Sequence, residues 1–475
     1  MTSLTPHFYN SLTKTIEPLS PQEPGKVRIY NCGPTVYKRQ HLGNMRRFLF
    51  SDVLRRTLEL LGFEVREITN ITDVGHLTND DLDEGEDKIE KAAQTEKTTP
   101  QAIAEKQISL FQQDLQAINI QPAHLYPRAS QHIKEMQEII AKLLEKDIAY
   151  QTPSGIYFSV EKFPNYGELS GNTLENLHAG SRIEVREEKM NPADFALWKF
   201  DKQHLQQWDS PWGKGYPGWH IECSAMSNAY LGMDIDIHTG GEDNKFPHHE
   251  NELAQSEGAF GETFVRIWMH NAHLQMQGQK IAKREGQQLT IDTLLEKNLD
   301  PLAFRLFVLS GHYRQKLDLS WDIIAQAQEH IKSLANLLRR LHGIQPVEVD
   351  KEILEQFRVA LADDLNTSKA VAIFLEYMRH ANAELDNADT PPPTLQTIYA
   401  TLKAMDHVMG IVAPLEQRLS HETIPSEVKK LAEEREQARQ QKDFELADSL
   451  RSAILHAGYT VEDTTTGPRL IPKAK

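Results

Sequence analysis

The chain has 475 residues and a mass of 54.2 kDa, too long for one compact core, so roughly three or four domains are expected. Hydrophobic residues make up 39% and charged residues 25%, the balance of an ordinary globular protein, and no apolar run is long enough to span a bilayer. A net charge of −16, from 52 Lys and Arg against 68 Asp and Glu, argues against a general polyanion binder but leaves room for a specific RNA at a local basic groove.

The first residues, Met1 to His7, lack the basic and apolar regions of a signal peptide. A cytoplasmic location without a membrane partner is therefore expected. Thiols stay reduced there, so Cys32 and Cys223 read as metal ligands rather than a disulfide.

In chain order, Lys26 to Tyr30 reads as a strand that runs into a Gly33-Pro34 turn and then His41-Leu42-Gly43-Asn44. Apolar residues at helical spacing predict a helix from Asn44 to Leu61, with Gly62 as its stop. Residues 63–68 alternate like a second strand. Strand, turn, helix, strand is the opening of an α/β nucleotide-binding fold, whose ligands sit at the carboxyl ends of parallel strands.

Residues 80–87 hold six acidic side chains in eight positions, which reads as a solvated loop, with a divalent-ion loop as the rival. Residues 96 to 148 have helical apolar stripes, and 150–212, rich in turn residues, resemble an insertion. A sheet pattern returns at residues 233–238. From about 320 onward the chain reads as helix with a break at Pro391-Pro392-Pro393, and a charged helix is predicted from Glu427 to Leu450, with Gly458 after it as a stop.

The chemistry gathers in three places. Cys32, Cys223, His248 and Glu252 offer two sulfurs, an imidazole and a carboxylate, a donor set that suits zinc. With Pro247 in the first helical turn, His248 and Glu252 fall four apart on one helix face. The sequence is not His-Glu-x-x-His, so a zinc protease is disfavoured. Spacing leaves open whether the ion is structural. His41, Gly43 and Asn44 stand at a strand-to-helix junction. There a helix N-terminus attracts phosphate, Gly43 lets a base or ribose approach, and His41 and Asn44 can donate hydrogen bonds. Lys280, Lys283 and Arg284 put three cations in five residues, able to stabilise charge on a transferring phosphoryl group.

These segments together resemble the cysteinyl-tRNA synthetases, class I aminoacyl-tRNA synthetases. The resemblance rests on CGPTVY at 32–37, HLGN at 41–44, NITD at 70–73, DFALWK at 194–199, PGWHIECSAM at 217–226, GGxD at 240–243 and FPHHENE at 246–252. SGHYR at 310–314 and DDxNT at 363–367 extend it into the helical part. It implies activation of cysteine with ATP and Mg²⁺, then transfer to the 3′ end of tRNA(Cys). It also implies that Cys32, Cys223, His248 and Glu252 hold one zinc that receives the substrate thiolate. Thr72 and Trp219 match the amino-acid pocket, Asp243 a ribose contact, and Lys280 and Lys283 the catalytic lysines. The lysine loop departs from the family's KMSKS and reads KIAKR here.

The resemblance further implies a Rossmann-like catalytic domain at 1–270 interrupted by the insertion at about 150–212. A stem-contact region at 271–320, a helical bundle at 321–424 and a small C-terminal α/β unit at 425–475, which would meet the anticodon, complete the expected order. The terminal Gly467-Pro468-Arg469-Leu470 lacks the tryptophan usual in the family. Two rival readings are a ligase that passes the same adenylate to a small amine and a non-catalytic tRNA-binding paralogue.

Overall fold

The computed structural model describes residues 4–75, 77–79, 84–172, 188–281, 289–387, 389–421, 424–464 and 467–472. Its centre is a four-stranded parallel sheet. In chain order the elements that matter are strand β1 (Lys26–Asn31), helix α1 (Leu42–Leu60), strand β2 (Glu64–Thr69), helix α2 (Trp219–Leu231), strand β3 (Ile235–Gly241), helix α3 (Glu250–Phe260) and strand β4 (Val265–Asn271). The strands lie in the order β2-β1-β3-β4. Asn31 is paired with Thr69 on one side and Thr239 on the other, so the carboxyl ends of β1, β2 and β3 are level. The chain leaves β1 toward α1 and β2, whereas β3 lies on the other flank. This reversal opens a crevice beyond the ends of β1 and β3, where Rossmann-like sheets bind ligands.

Helix α1 starts under that crevice. It buries Leu42, Met45, Leu49, Leu54 and Leu58 against the core, and Gly62 reverses the chain after it at a φ of +97°. Its second half is tied to the helical region. The buried Asp52 pairs with Arg56 and Arg305, each at 2.8 Å. The two guanidinium groups donate in turn to carbonyls at the end of the helix Pro392–Met409: Arg56 to His407 (3.0 Å), Arg305 to Met409 (2.6 Å) and Val408 (3.1 Å). Removing one charge from such a buried set leaves the others uncompensated, so the second half of α1 is held firmly.

At the end of β1 the backbone N–H of Gly33 donates to Asn70 Oδ1 at 2.7 Å, and the two segments run in contact. A Cβ on Gly33 would lie 1.5 Å from the Asn70 carbonyl oxygen. Gly33→Ala is therefore expected to cost about 3 kcal/mol of stability, read as a lower urea midpoint. A variant as stable as the parent would show that this loop can yield.

Three expectations are corrected. The stretch 96–148 is not continuous helix. Helices Lys88–Glu96, Pro100–Ala117 and Ile133–Glu145 flank an extended segment in which Pro122 and Pro127 interrupt the helical ladder. That segment lies along β2, where Thr69 donates to the carbonyl of Leu125 at 3.1 Å. The charged helix near the C-terminus is two helices, Ser426–Gln440 and Phe444–His456, separated where Lys442 takes a φ of +62° and Asp443 caps the second. A hairpin of Tyr459–Thr464 and Gly467–Pro472 follows Gly458. In the acidic stretch, residues 80–83 lie outside the described part. Glu84–Asp87 is a strand rather than loop, and Asp87 caps the next helix by accepting from Ile89 and Glu90.

Residues 149–217 contribute an antiparallel sheet of strands Tyr216–Pro217, Phe195–Lys199, Gly155–Phe158 and Ala149–Gln151, in that order. Among the described residues, no helix is long and apolar enough to cross a membrane.

Candidate active site

The metal ligands expected from sequence converge. Cys32 follows β1, Cys223 lies on the first turns of α2, and His248 and Glu252 come from the entry to α3. Their donor atoms all lie within 4.8 Å of one another, and all four side chains are buried. The sulfurs are 3.9 Å apart, Cys223 Sγ is 3.6 Å from His248 Nε2, and Cys32 Sγ is 3.4 Å from Glu252 Oε1. His248 Nε2 and Glu252 Oε1 are 2.9 Å apart. Pro247 belongs to a kinked turn, Lys245–His249, rather than to the first turn of α3, which begins at Glu250. The four-residue spacing still brings His248 and Glu252 together.

The electrostatics of this cluster ask for a cation. Burial raises the Cys32 thiol well above its ordinary value. Burial also opposes charge on Cys223, but hydrogen bonds from Cys32 and His248 outweigh it and bring that thiol down to about 6. Burial disfavours the His248 imidazolium, yet Glu252 and Cys223 raise it to about 10. A buried thiolate beside a buried carboxylate is stable only with compensating positive charge, which a proton on His248 or a metal ion can provide.

Sequence reasoning missed the histidines around this cluster. His238 Nε2 bonds the second oxygen of Glu252 at 2.8 Å, His220 Nδ1 bonds His248 Nδ1 at 2.9 Å, and His249 Nδ1 bonds His270 Nε2 at 2.9 Å. Such partners fix the orientation and tautomer of metal ligands. His249 Nε2 also lies 3.2 Å from Cys32 Sγ, so Cys32, His238, His249 and Glu252 form a second, overlapping set of possible ligands. The signal was present in the quoted motifs, since His220 and His249 each adjoin or nearly adjoin a predicted ligand. His238 and His270 carry no local signal.

The predicted substrate-pocket residues flank the cluster. Trp219 stacks on His248, with ring centroids 4.3 Å apart and planes inclined by 22°. Thr72 is buried behind the Cys32 loop, where its N–H donates to the Pro34 carbonyl at 3.1 Å and its hydroxyl accepts from Asn70 at 3.2 Å.

Beside the cluster, across Arg47, opens a cleft lined by His41, Gly43, Asn44, Arg47, Asp243, Lys280 and neighbours. His41 caps α1: the Asn44 backbone N–H donates to its Nδ1 at 3.1 Å. Burial, then Lys38, Arg47 and Lys280, lower the imidazole to about 4. The ring is therefore neutral at pH 7 with its proton on Nε2, a donor available to a ligand. The Asn44 side chain donates to Gln40 at 2.7 Å. Lys280 Nζ bonds Asp243 Oδ2 at 2.9 Å. Burial raises the Asp243 carboxyl, but Lys280, His273 and Arg47 outweigh it and hold it below its ordinary value. An ion pair this exposed is weak, so an anionic ligand could displace Asp243 from Lys280. Lys283 and Arg284 lie outside the described residues.

A parallel-sheet crevice with a capped helix N-terminus, a lysine beside it and an adjoining thiol cluster is the site of a nucleotide-binding enzyme, and the families this chain matches make it a class I aminoacyl-tRNA synthetase. Residues 18–329 match the family of tRNA synthetases class I (C) catalytic domain, and residues 356–413 match the DALR domain. Cysteine–tRNA ligases of Thermus thermophilus and Chlorobaculum tepidum are 42% and 40% identical, each over 97% of this chain and 98% of the relative. The chain belongs to the cysteine–tRNA ligase family. The fold is shared more distantly with Mycobacterium tuberculosis methionyl-tRNA synthetase in complex with methionyl-adenylate, at a TM-score of 0.56 and 15% identity over 82% of this chain and 91% of that one.

Proposed function

We propose that this protein activates cysteine with ATP, accompanied by Mg²⁺, transfers it to the 3′ end of tRNA(Cys), and selects it through one zinc ion held by Cys32, Cys223, His248 and Glu252. The spacing of the four donors carries the zinc reading. Tetrahedral zinc with bonds of about 2.3 Å to sulfur and about 2.0–2.1 Å to nitrogen or oxygen sets S···S near 3.8 Å, S···N near 3.5 Å and N···O near 3.3 Å. The sulfurs here are 3.9 Å apart and Cys223 is 3.6 Å from His248, while the 2.9 Å His248–Glu252 contact is a hydrogen bond that has to lengthen only slightly. When bound, zinc prefers a thiolate to a hydroxyl and so separates cysteine from serine, a pair that an apolar pocket would distinguish by only about 10²-fold.

The remaining roles fall to the chain itself. His238 and His220 hold Glu252 and His248 in place, and Trp219 and Thr72 border the amino acid. His41 offers its Nε2–H to phosphate oxygens and Gly43 admits the nucleotide against the backbone, with Asn44 steadying the turn. Asp243 turns from Lys280 to the ribose, which frees Lys280 to join Lys283 at the departing pyrophosphate. Stem contacts are assigned to 271–320, the helical bundle to 321–424 and anticodon contacts to 425–475, on the family resemblance alone. A cytoplasmic setting suits two cysteines that remain thiols. Because similarity to tRNA ligases runs through the helical part as well as the catalytic half, tRNA is favoured over a small amine as acceptor.

The test is charging of total tRNA with labelled cysteine or labelled serine, using zinc-replete protein and ATP. Cysteine should be incorporated and serine not. Adenylate formation without tRNA charging would move the protein to the amine ligases. Tight tRNA binding without cysteine-dependent pyrophosphate exchange would make it a paralogue that only binds RNA.

A further inference from the structure

Between the thiol cluster and the nucleotide cleft stands Arg47, one turn into α1, a residue that neither the motifs nor the family resemblance marked. Its Nη2 donates to the carbonyl of Gly33, the neighbour of Cys32, at 3.0 Å. Its Nη1 makes only a long 3.4 Å contact to Asn244 Oδ1 on the other wall. Its Nε is buried with no partner. Among the described residues no carboxylate pairs with it. The other charges in the cleft are differently placed, since Lys280 is tied to Asp243 and His41 is neutral. A guanidinium has five donors in a planar fork that fits carboxylates and phosphates. A half-made set of bonds at the wall of a partly buried cleft leaves an anion wanted there.

We infer that Arg47 is a further catalytic residue, which binds the anionic junction where the carboxylate of the amino acid meets the α-phosphate of ATP. This rests on the activation reaction proposed above. With the substrate sulfur at the thiol cluster and the nucleotide along His41, Gly43 and Asp243, that junction falls beside Arg47. In the reaction a carboxylate oxygen of cysteine forms a bond to the α-phosphorus. The bond from that phosphorus to the bridging oxygen breaks, and pyrophosphate leaves with the electron pair. Arg47 stays protonated throughout and stabilises the charge that gathers on the α-phosphate oxygens.

Cysteine-dependent pyrophosphate exchange by the full-length zinc-replete enzyme tests this, comparing the parent with Arg47→Met and Arg47→Lys. Arg47→Met should lose about 10²-fold in exchange, as for loss of one donor to a developing anion. Arg47→Lys, or added guanidinium ion with Arg47→Ala, should restore part of it. Two binding measurements separate the sources of the anion. If the carboxylate is the partner, Arg47→Met loses the parent's preference for cysteine over cysteinamide. If it is the α-phosphate, that preference survives and AMP affinity falls. Exchange within about threefold of the parent overturns the proposal. So does a loss that accompanies a large fall in melting temperature and is restored by neither lysine nor guanidinium, since Arg47 would then only support the Gly33 loop. If the parent itself gives no cysteine-dependent exchange, the activation reading fails instead, and that result is read before any variant.

Discussion

Cys223→Ser is expected to abolish zinc binding and cysteine activation together. The parent should hold one zinc per chain, and the variant close to none after dialysis, with cysteine-dependent pyrophosphate exchange at least about 10²-fold lower. A serine hydroxyl stays protonated at neutral pH and is a hard, weak donor beside a thiolate. The substitution also removes the thiol that, against the opposing effect of burial, hydrogen bonds with Cys32 and His248 bring down to about 6. The side chain is 1% exposed and sits on a buried face of α2, so a volume change this small should leave the fold intact. The prediction discriminates sharply because a second ligand set, Cys32 with His238, His249 and Glu252, omits Cys223. A variant that keeps its zinc would move the ion to that set. A variant that loses zinc but activates cysteine normally would end the idea that the metal reads the substrate.

How far this site could be read from the sequence depended on whether its parts were local. The first strand, turn and helix were legible because apolar spacing, Gly62 and the HLGN turn act within a few residues. His248 and Glu252 were legible because four residues apart across the turn into α3 they stay close, although His248 lies in the kinked turn before that helix and not on it. The histidine surround was not. His238, His249 and His270 come from separate elements and meet only through the parallel pairing of β3 with β4 and the packing of α3 against them. Arg47 was passed over for a related reason. In sequence it is one of several arginines on a helix, and only its unpartnered Nε and its place between two walls distinguish it. The segment 118–132 reads as helix, despite Pro122 and Pro127, only because helical stripes stand on either side of it, at Leu110, Phe111 and Leu115 and at Ile139, Ile140, Leu143 and Leu144, and nothing local marks the edge it forms beside β2.

Gly43→Ala is expected to cripple the use of ATP while scarcely disturbing stability. A Cβ there would lie 2.9 Å from His41 Nδ1 and 3.0 Å from its Cε1, so the imidazole must swing away. That movement breaks the bond from the Asn44 N–H to His41 Nδ1, which caps α1 and also sets the tautomer that leaves the proton on Nε2. The cap is worth about 1 kcal/mol, a modest loss for a helix anchored by the buried set of Asp52, Arg56 and Arg305. A misplaced donor at a developing phosphate charge costs far more, about 10²–10³-fold in rate. The loss should be the same from pH 6 to 8, because the imidazole, lowered to about 4, is already neutral across that range. His41→Asn separates the two effects. Asparagine is a good helix cap but cannot place a donor where the imidazole Nε2–H stands, so it should match the kinetic loss and keep the stability. If His41→Asn instead turns over ATP as the parent does, the cleft uses the helix N-terminus alone, and His41 serves only to cap it.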